Sequence, residues 1–214
     1  MGFTFCLAGD CKLACYESGW RLNNRLEMLK RIFDIVFAAT TLVIFALPII
    51  LIAASVHLTS PGPVIYRSDR VGRNNKMFCM PKFRTMRIDT PAVATHLVEN
   101  PNEYLTPIGA FLRKSSLDEL PQLWSILIGD MSVVGPRPAL FNQDDLIALR
   151  SEAGVQKITP GLTGWAQVSG RDELPIPEKV KLDVEYMRRQ SLLFDIYIII
   201  LTFVRVIYRH GVSH

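Results

Sequence analysis

Two adjacent carboxylates, Asp118 and Glu119, are the residues of this chain best suited to chemistry; they lie in the run Arg113 to Trp124, RKSSLDELPQLW. A cationic pair and two serines precede them, and Pro121 follows closely. The run suits a helix start: Ser116 stands where a cap belongs, and Glu119 three residues on completes an S-x-x-E capping box. Pro121 then falls in the first turn or just past it, where a missing N–H costs least. A helix start offers free N–H groups and a partial positive charge, so carboxylates held there stay ionised at neutral pH, as a nucleophile or metal ligand must. The same pattern also serves as a plain helix cap.

Three further stretches carry cations or constrained backbone. KFRTM (Lys82 to Met86) places two cations beside an aromatic, which suits either phosphate or an anionic lipid surface. GDMSVVGPRPAL (Gly129 to Leu140) contains Gly135-Pro136-Arg137-Pro138, a rigid turn presenting one guanidinium, and arginine favours bidentate phosphate contact. TPGLTGWAQVSGR (Thr159 to Arg171) is glycine-rich and ends in another arginine. Asp172 and Glu173 follow as the chief rival acid pair, but before Pro175 and Pro177 they belong to a loop without an anion-binding helix start.

These stretches must be positioned by a chain of 214 residues, enough for one cored domain plus a membrane element. Hydrophobic content of 49% is high for a purely soluble domain. Four cysteines (Cys6, Cys11, Cys15, Cys79) make no disulfide framework at this length and match no metal spacing. Reduced thiols are expected, with palmitoylation as the alternative for the N-terminal three. No signal-peptide pattern is present.

Residues 1–29 read as a lead-in, with a short amphipathic helix toward Leu26. From Ile32 to Val56 the chain is apolar except for Asp34, with Pro48 near its middle. At ~1.5 Å per residue its roughly 25 residues could cross a ~30 Å hydrocarbon core. Cations flank both ends, however: Arg21, Arg25, Lys30 and Arg31 before, and Arg67, Arg70, Arg73 and Lys76 after. A single crossing should show cations concentrated on one side. Pro48 removes a backbone hydrogen bond and bends the helix. A helix over 30–59 that enters and leaves by one leaflet satisfies both observations better than a straight span does. His57 at its end reads as an interfacial side chain.

Beyond the breaker Ser60-Pro61-Gly62-Pro63, strands at Val64 to Tyr66 and Met77 to Pro81 should form a hairpin around Gly72 to Asn75. Asp89 to Pro107 reads as a polar loop, and Ile108 leads into one central helix reaching about Ile128. A helix over Phe141 to Glu152, capped by Asn142, carries Asp144 and Asp145 in its first turn as dipole partners. Residues from Glu178 to Arg189 read as helix. The run Leu192 to Arg209 is interrupted by Asp195 and Arg205 and suits an interfacial or core helix.

Taken together, KFRTM, SLDELPQLW, GDMSVVGPRP and PGLTGWAQVSGR, in this order behind Lys30-Arg31 and the apolar segment, resemble the bacterial sugar transferases, the monotopic polyprenyl-phosphate phosphoglycosyl transferases. The resemblance covers about Lys30 to the C-terminus and suggests the small form, without the extra N-terminal helices of larger members. It implies an α+β, mainly helical, monotopic membrane protein: a Pro48-broken re-entrant helix followed by a small cytoplasmic catalytic domain, 60–214, with interfacial helices. It implies localisation to the cytoplasmic face of the bacterial inner membrane. The implied reaction passes a phosphosugar from a UDP-sugar to undecaprenyl phosphate, releasing UMP, through a covalent phosphosugar on aspartate and with Mg²⁺.

Carried over by residue, Asp118 becomes the nucleophile and Glu119 its partner, both with access to the metal. Arg113, Arg137 and Arg171 become candidates for the diphosphate or nucleotide, with Gln122 and Pro138 completing the substrate set. Lys82 and Arg84 join it or are structural, paired with Asp183. Lys30 and Arg31 meet the polyprenyl phosphate or fix the helix at headgroup level. Leu47 stands where the family often has serine before the proline, and Gly170-Arg171-Asp172 where GRN is common. No nucleic-acid partner is expected, and oligomerisation is left open. The competing reading is a non-catalytic scaffold on an anionic membrane surface.

Overall fold

The computed structural model describes residues 8–90, 101–170 and 174–208. The chain is mainly helical with a few short strands. It divides into two units, Met1–Phe33 and Asp34–His214. In the first, the backbone is already helical from Ala8, the start of α1 (Ala8–Ile44). The expected lead-in before Lys30 is thus helix over most of its length.

Helix α2 (Ala46–Thr59) leaves α1 at an angle of 64°. The bend sits at Phe45, with φ −93° and ψ 10°, three residues before Pro48. Proline explains that offset: Pro48 has no N–H for the Ile44 carbonyl, and its ring crowds that carbonyl four residues back. The ladder continues on either side, with Phe45 N–H donating to the Thr41 carbonyl at 2.9 Å and Ile49 N–H to the Phe45 carbonyl at 2.8 Å. Among the described residues no single helix is long and apolar enough to cross a membrane, whereas Leu26–Ile44 and Ala46–Thr59 meet that test as a bent pair.

Asp34, the acid inside the apolar run, is buried, and its Oδ1 accepts the backbone N–H of Val133 at 3.0 Å. Val133 lies in β3 (Ser132–Val134), which pairs in parallel with β5 (Gly161–Thr163). On the same strand the Val134 carbonyl accepts the Tyr186 hydroxyl at 3.0 Å, and that hydroxyl also reaches Asp195 Oδ1 at 2.8 Å. The acids that interrupt the two apolar stretches are therefore hydrogen-bond acceptors in the core, as burial of such groups demands. Burial, with the neighbouring Asp195 charge, pushes the Tyr186 hydroxyl well above its ordinary value.

The hairpin is present and longer than expected: β1 (Ile65–Val71) and β2 (Met77–Phe83) pair antiparallel, with Lys82 opposite Tyr66. β4 (Ala139–Leu140) adds to β1, giving the order β2-β1-β4. The remaining helices are α3 (Gly109–Ser115), α4 (Gln122–Ile128), α5 (Asp144–Glu152), α6 (Trp165–Ser169), α7 (Ile176–Arg189) and α8 (Leu192–Tyr208). At α5 Asn142 is not the cap. Gln143 holds that position without a side-chain capping bond, and its Oε1 instead accepts the Leu140 N–H at 2.9 Å.

The main core joins Ala38 of α1 to Met80, Leu123, Ile126, Val133, Val134, Tyr186, Phe194 and Ile198. A second cluster packs Ile52 and Val56 of α2 on Phe83 and Leu112. Both halves of the bent helix pair are thus built into the packing that carries the acid-bearing segment. Replacing Asp34 by alanine orphans a buried N–H and should cost about 2 kcal/mol. Thermal unfolding in detergent should show a midpoint lower by about 4–8 °C, with Asp34→Asn, which keeps an acceptor, losing less.

Candidate active site

The acid pair does not begin a helix. α3 stops at Ser116, a non-glycine residue at φ 57° and ψ 18°, in the left-handed region. Its side chain makes no capping bond, so the expected capping box is not formed. Asp118 and Glu119 instead occupy a single 3-10 turn, Leu117–Glu119, and α4 begins only after Pro121. The one helix expected from Ile108 to Ile128 is therefore broken around the acids. Packing decides against the local signal: Leu117 and Leu120, on either side of the pair, are drawn onto the cluster of Ile52, Val56, Phe83 and Leu112. Left-handed backbone at a residue with a Cβ costs roughly 1–2 kcal/mol, here spent beside the candidate reactive groups.

Three cations from three separate elements converge on this turn. Lys82 of β2 places Nζ 3.2 Å from Glu119 Oε1, and Arg137 places Nη2 3.4 Å from the same oxygen. Arg113 of α3 acts electrostatically on Asp118 while its Nε donates to Thr85 Oγ1 at 3.0 Å. The two acids consequently titrate apart. Asp118, buried, is pushed up to about 6 by loss of hydration and by the Glu119 charge, against the pull of Lys82 and Arg113. No helix start lowers this carboxyl, contrary to expectation, yet at about 6 it still stays mostly ionised at neutral pH. Burial works to raise Glu119 as well, but Lys82 and Arg137 outweigh it and hold that carboxyl down at about 2. Burial in turn lowers Lys82 from its ordinary value.

The other candidates from the sequence fall in different places. Arg84 is buried and donates to the carbonyls of Ser60 (2.7 Å) and Pro61 at the end of α2, with no ion pair to either acid among the described residues. It does not pair with Asp183, and neither does Lys82; Asp183 belongs to Arg150 of α5, whose Nη2 lies 2.7 Å from Oδ2. Gln122 is buried in the first turn of α4, one turn beyond Asp118, and its Nε2 has no hydrogen-bond partner. Pro138 is buried, and its carbonyl accepts Arg70 Nη1 at 3.2 Å. Lys30 and Arg31 lie half-buried on α1, Pro48 lies in α2, and His57 is exposed. Arg171, Asp172 and Glu173 lie outside the described residues. Sequence reasoning missed Arg70 and Arg150. Arg150 carries no motif of its own in the sequence, and its contact with Asp183 of α7 requires the fold.

The donor set fits the expected Mg²⁺. Two adjacent carboxylates offer hard oxygen ligands, and Mg²⁺ is commonly held by one or two carboxylates, water and substrate phosphates. Among the described residues no group of three or more acid, histidine or cysteine side chains could hold a metal ion. Substrate phosphates and water would complete its shell.

Paired carboxylates ringed by cations from separate elements define a site suited to transfer chemistry on a phosphate anion. The chain belongs to the bacterial sugar transferase family, whose profile matches residues 25–209. It is 42% identical over 189 residues to the UDP-glucose:undecaprenyl-phosphate glucose-1-phosphate transferase of Escherichia coli (strain K12), covering 85% of this chain and 40% of that protein. The protein of the same description from Xanthomonas campestris pv. campestris is 38% identical over 199 residues, 89% of this chain and 41% of the relative. The uncharacterized sugar transferase EpsL of Bacillus subtilis (strain 168) is 38% identical over 187 residues, 87% of this chain and 91% of the relative. The chain thus spans about two fifths of the first two relatives and nearly all of the third.

In metal-free protein, carbon-detected NMR titration of the carboxyls should place Asp118 at about 6 and Glu119 at about 2. Lys82→Met should raise both, because the cation favours the ionised form of each. An Asp118 titration below 4 would contradict the described burial.

Proposed function

We propose that this chain is a phosphoglycosyl transferase of the cytoplasmic membrane face, passing a phosphosugar from a UDP-sugar to undecaprenyl phosphate and releasing UMP. The observation that carries this reading is the turn of buried Asp118 and part-buried Glu119 held among Lys82, Arg113 and Arg137. Three cations against two carboxylates leave the site net positive, as an incoming diphosphate requires. The names of the similar proteins support the donor and acceptor classes.

The reaction proceeds in two displacements. An oxygen of the Asp118 carboxylate attacks the phosphorus that bears the sugar; the bond from that phosphorus to the bridging oxygen breaks, and UMP leaves with the electron pair. A phosphate oxygen of undecaprenyl phosphate then attacks the same phosphorus, and the bond to Asp118 breaks to restore the carboxylate. Glu119, held ionised by Lys82 and Arg137, stays an acceptor of charge-assisted hydrogen bonds throughout. Arg113 and Arg137 would face the donor phosphates, and Mg²⁺ on the carboxylates would supply further neutralisation of phosphate charge.

A carboxylate that accepts from a dissolved donor and gives to a lipid must lie where both arrive. The reading therefore includes a re-entrant α1–α2 pair. Its supports are the 64° bend, the cations beyond both ends, and exposed apolar side chains such as Val43, Ile44, Leu47, Ile50 and Leu51. Exposed Phe111, Trp124 and Ile128, together with Leu193, Ile200 and Phe203 of α8, would rest at the headgroup level.

Asp118→Asn should abolish UMP release from UDP-sugars with undecaprenyl phosphate while leaving membrane association unchanged. A scaffold would be indicated if wild-type protein released no UMP from any donor. Incubating donor labelled in the phosphosugar without acceptor should leave label on Asp118; a ternary kinetic pattern with no adduct would refute the covalent step. Cysteine labelling before Lys30 and after Pro63 should report the same side of the membrane, and opposite sides would exclude re-entry.

A further inference from the structure

Arg137 sits in a turn that cannot hold itself. Pro136 and Pro138 flank it and lack N–H groups, so the turn has few donors for its own carbonyls, while Gly135, Pro136 and Pro138 are buried. Three consecutive carbonyls take their donors from distant segments. The Pro136 carbonyl accepts the Gly161 N–H at 2.9 Å. The Arg137 carbonyl accepts Arg150 Nη1 at 2.7 Å, and the Pro138 carbonyl accepts Arg70 Nη1 at 3.2 Å.

Both guanidinium groups are themselves fixed. Arg150 gives Nε and Nη2 to Asp183 Oδ2 at 2.9 and 2.7 Å, and Arg70 gives Nε to Ser68 Oγ at 3.0 Å. At the near end of the turn, a Cβ on Gly135 would collide with the Thr159 carbonyl oxygen and meet Gly161 N at 2.9 Å, so β3 and β5 close backbone on backbone. From this held turn the Arg137 side chain extends to Glu119.

We infer that Arg70 and Arg150 are positioning residues for the donor: they grip the main chain on either side of the Arg137–Pro138 bond and so aim the Arg137 guanidinium at the diphosphate. This rests on the function proposed above, in which Arg137 faces the donor phosphates. Neither arginine needs to touch the substrate. A charge that acted directly on phosphate would add to Arg137, whereas a grip on its backbone acts only through it.

The test is a double-mutant cycle read by titration calorimetry of UDP with Mg²⁺ onto the full chain in detergent. UDP carries the diphosphate whatever sugar the enzyme uses. Arg70→Met and Arg150→Lys, the latter keeping a cation against Asp183, should each weaken UDP binding about tenfold with unchanged stoichiometry. In an Arg137→Met background either change should add less than about twofold. Reduced stoichiometry at unchanged affinity would mean the variants merely misfold, and full additivity would mean direct contact; either result overturns the inference. If wild-type chain binds no UDP, or if Asp118→Asn still releases UMP, the underlying functional reading fails instead.

Discussion

Two neighbouring carboxylates taken out of water repel each other and lose hydration, and the fold around Asp118 and Glu119 is shaped by the need to offset both effects. A local solution would hang cations on the same helix, one turn away. Here they come from β2, α3 and the turn after β3, so the pair is tolerable only once the whole domain has assembled. The compensation is unequal. Glu119 receives two close cations and is strongly ionised, while at Asp118 burial and a like-charged neighbour outweigh Lys82 and Arg113. Divergent environments of this kind are how one site gives two similar acids different duties. Glu119 is suited to remain a fixed negative charge, whereas Asp118 is the more basic carboxylate of the two.

The same dependence on distant partners recurs in the strand and turn behind the acids. β3 is only three residues long, yet Asp34, Tyr186 and β5 all bond to it, and the proline-flanked turn that follows has its carbonyls taken by Gly161, Arg150 and Arg70. A segment with so few hydrogen bonds of its own is rigid because of what surrounds it. Arg137 inherits that rigidity, so its guanidinium reaches Glu119 from a fixed point.

The sequence made the element types legible wherever periodicity or turn chemistry was strong: the hairpin around Gly72 to Asn75, the helices of the second half, and the interruption that Pro48 imposes on the first apolar run. It misled where a local pattern competed with burial. S-x-x-E at Ser116 is a sound cap by itself, but the apolar side chains of Leu117 and Leu120 won, and the helix broke into left-handed and 3-10 backbone. Asn142 is not the cap either; Gln143 takes that position without a side-chain bond to the helix. Motif order sets Lys82 in the substrate group or against Asp183, and its ion pair with Glu119 required the fold. The separate fates of Arg84 and Arg150 required it too, since an arginine bound to a carbonyl and one bound to a phosphate look alike in sequence. Asp34 read as a blemish in a membrane segment because its partner, one backbone N–H, lies 99 positions away.

That last contact changes what the first helix is. A lipid anchor is ordinarily dispensable to the domain it tethers, which can be expressed alone once the greasy segment is trimmed. Here the acceptor for Val133 and part of the main core, Ala38 and Phe37, are carried by α1, and the second core cluster takes Ile52 and Val56 from α2. Trimming would leave a donor without an acceptor and two open hydrophobic faces, one of them against Leu117 and Leu120. Residues 34–59 are in this sense part of the domain's own core, and the domain is complete only when they have packed onto it.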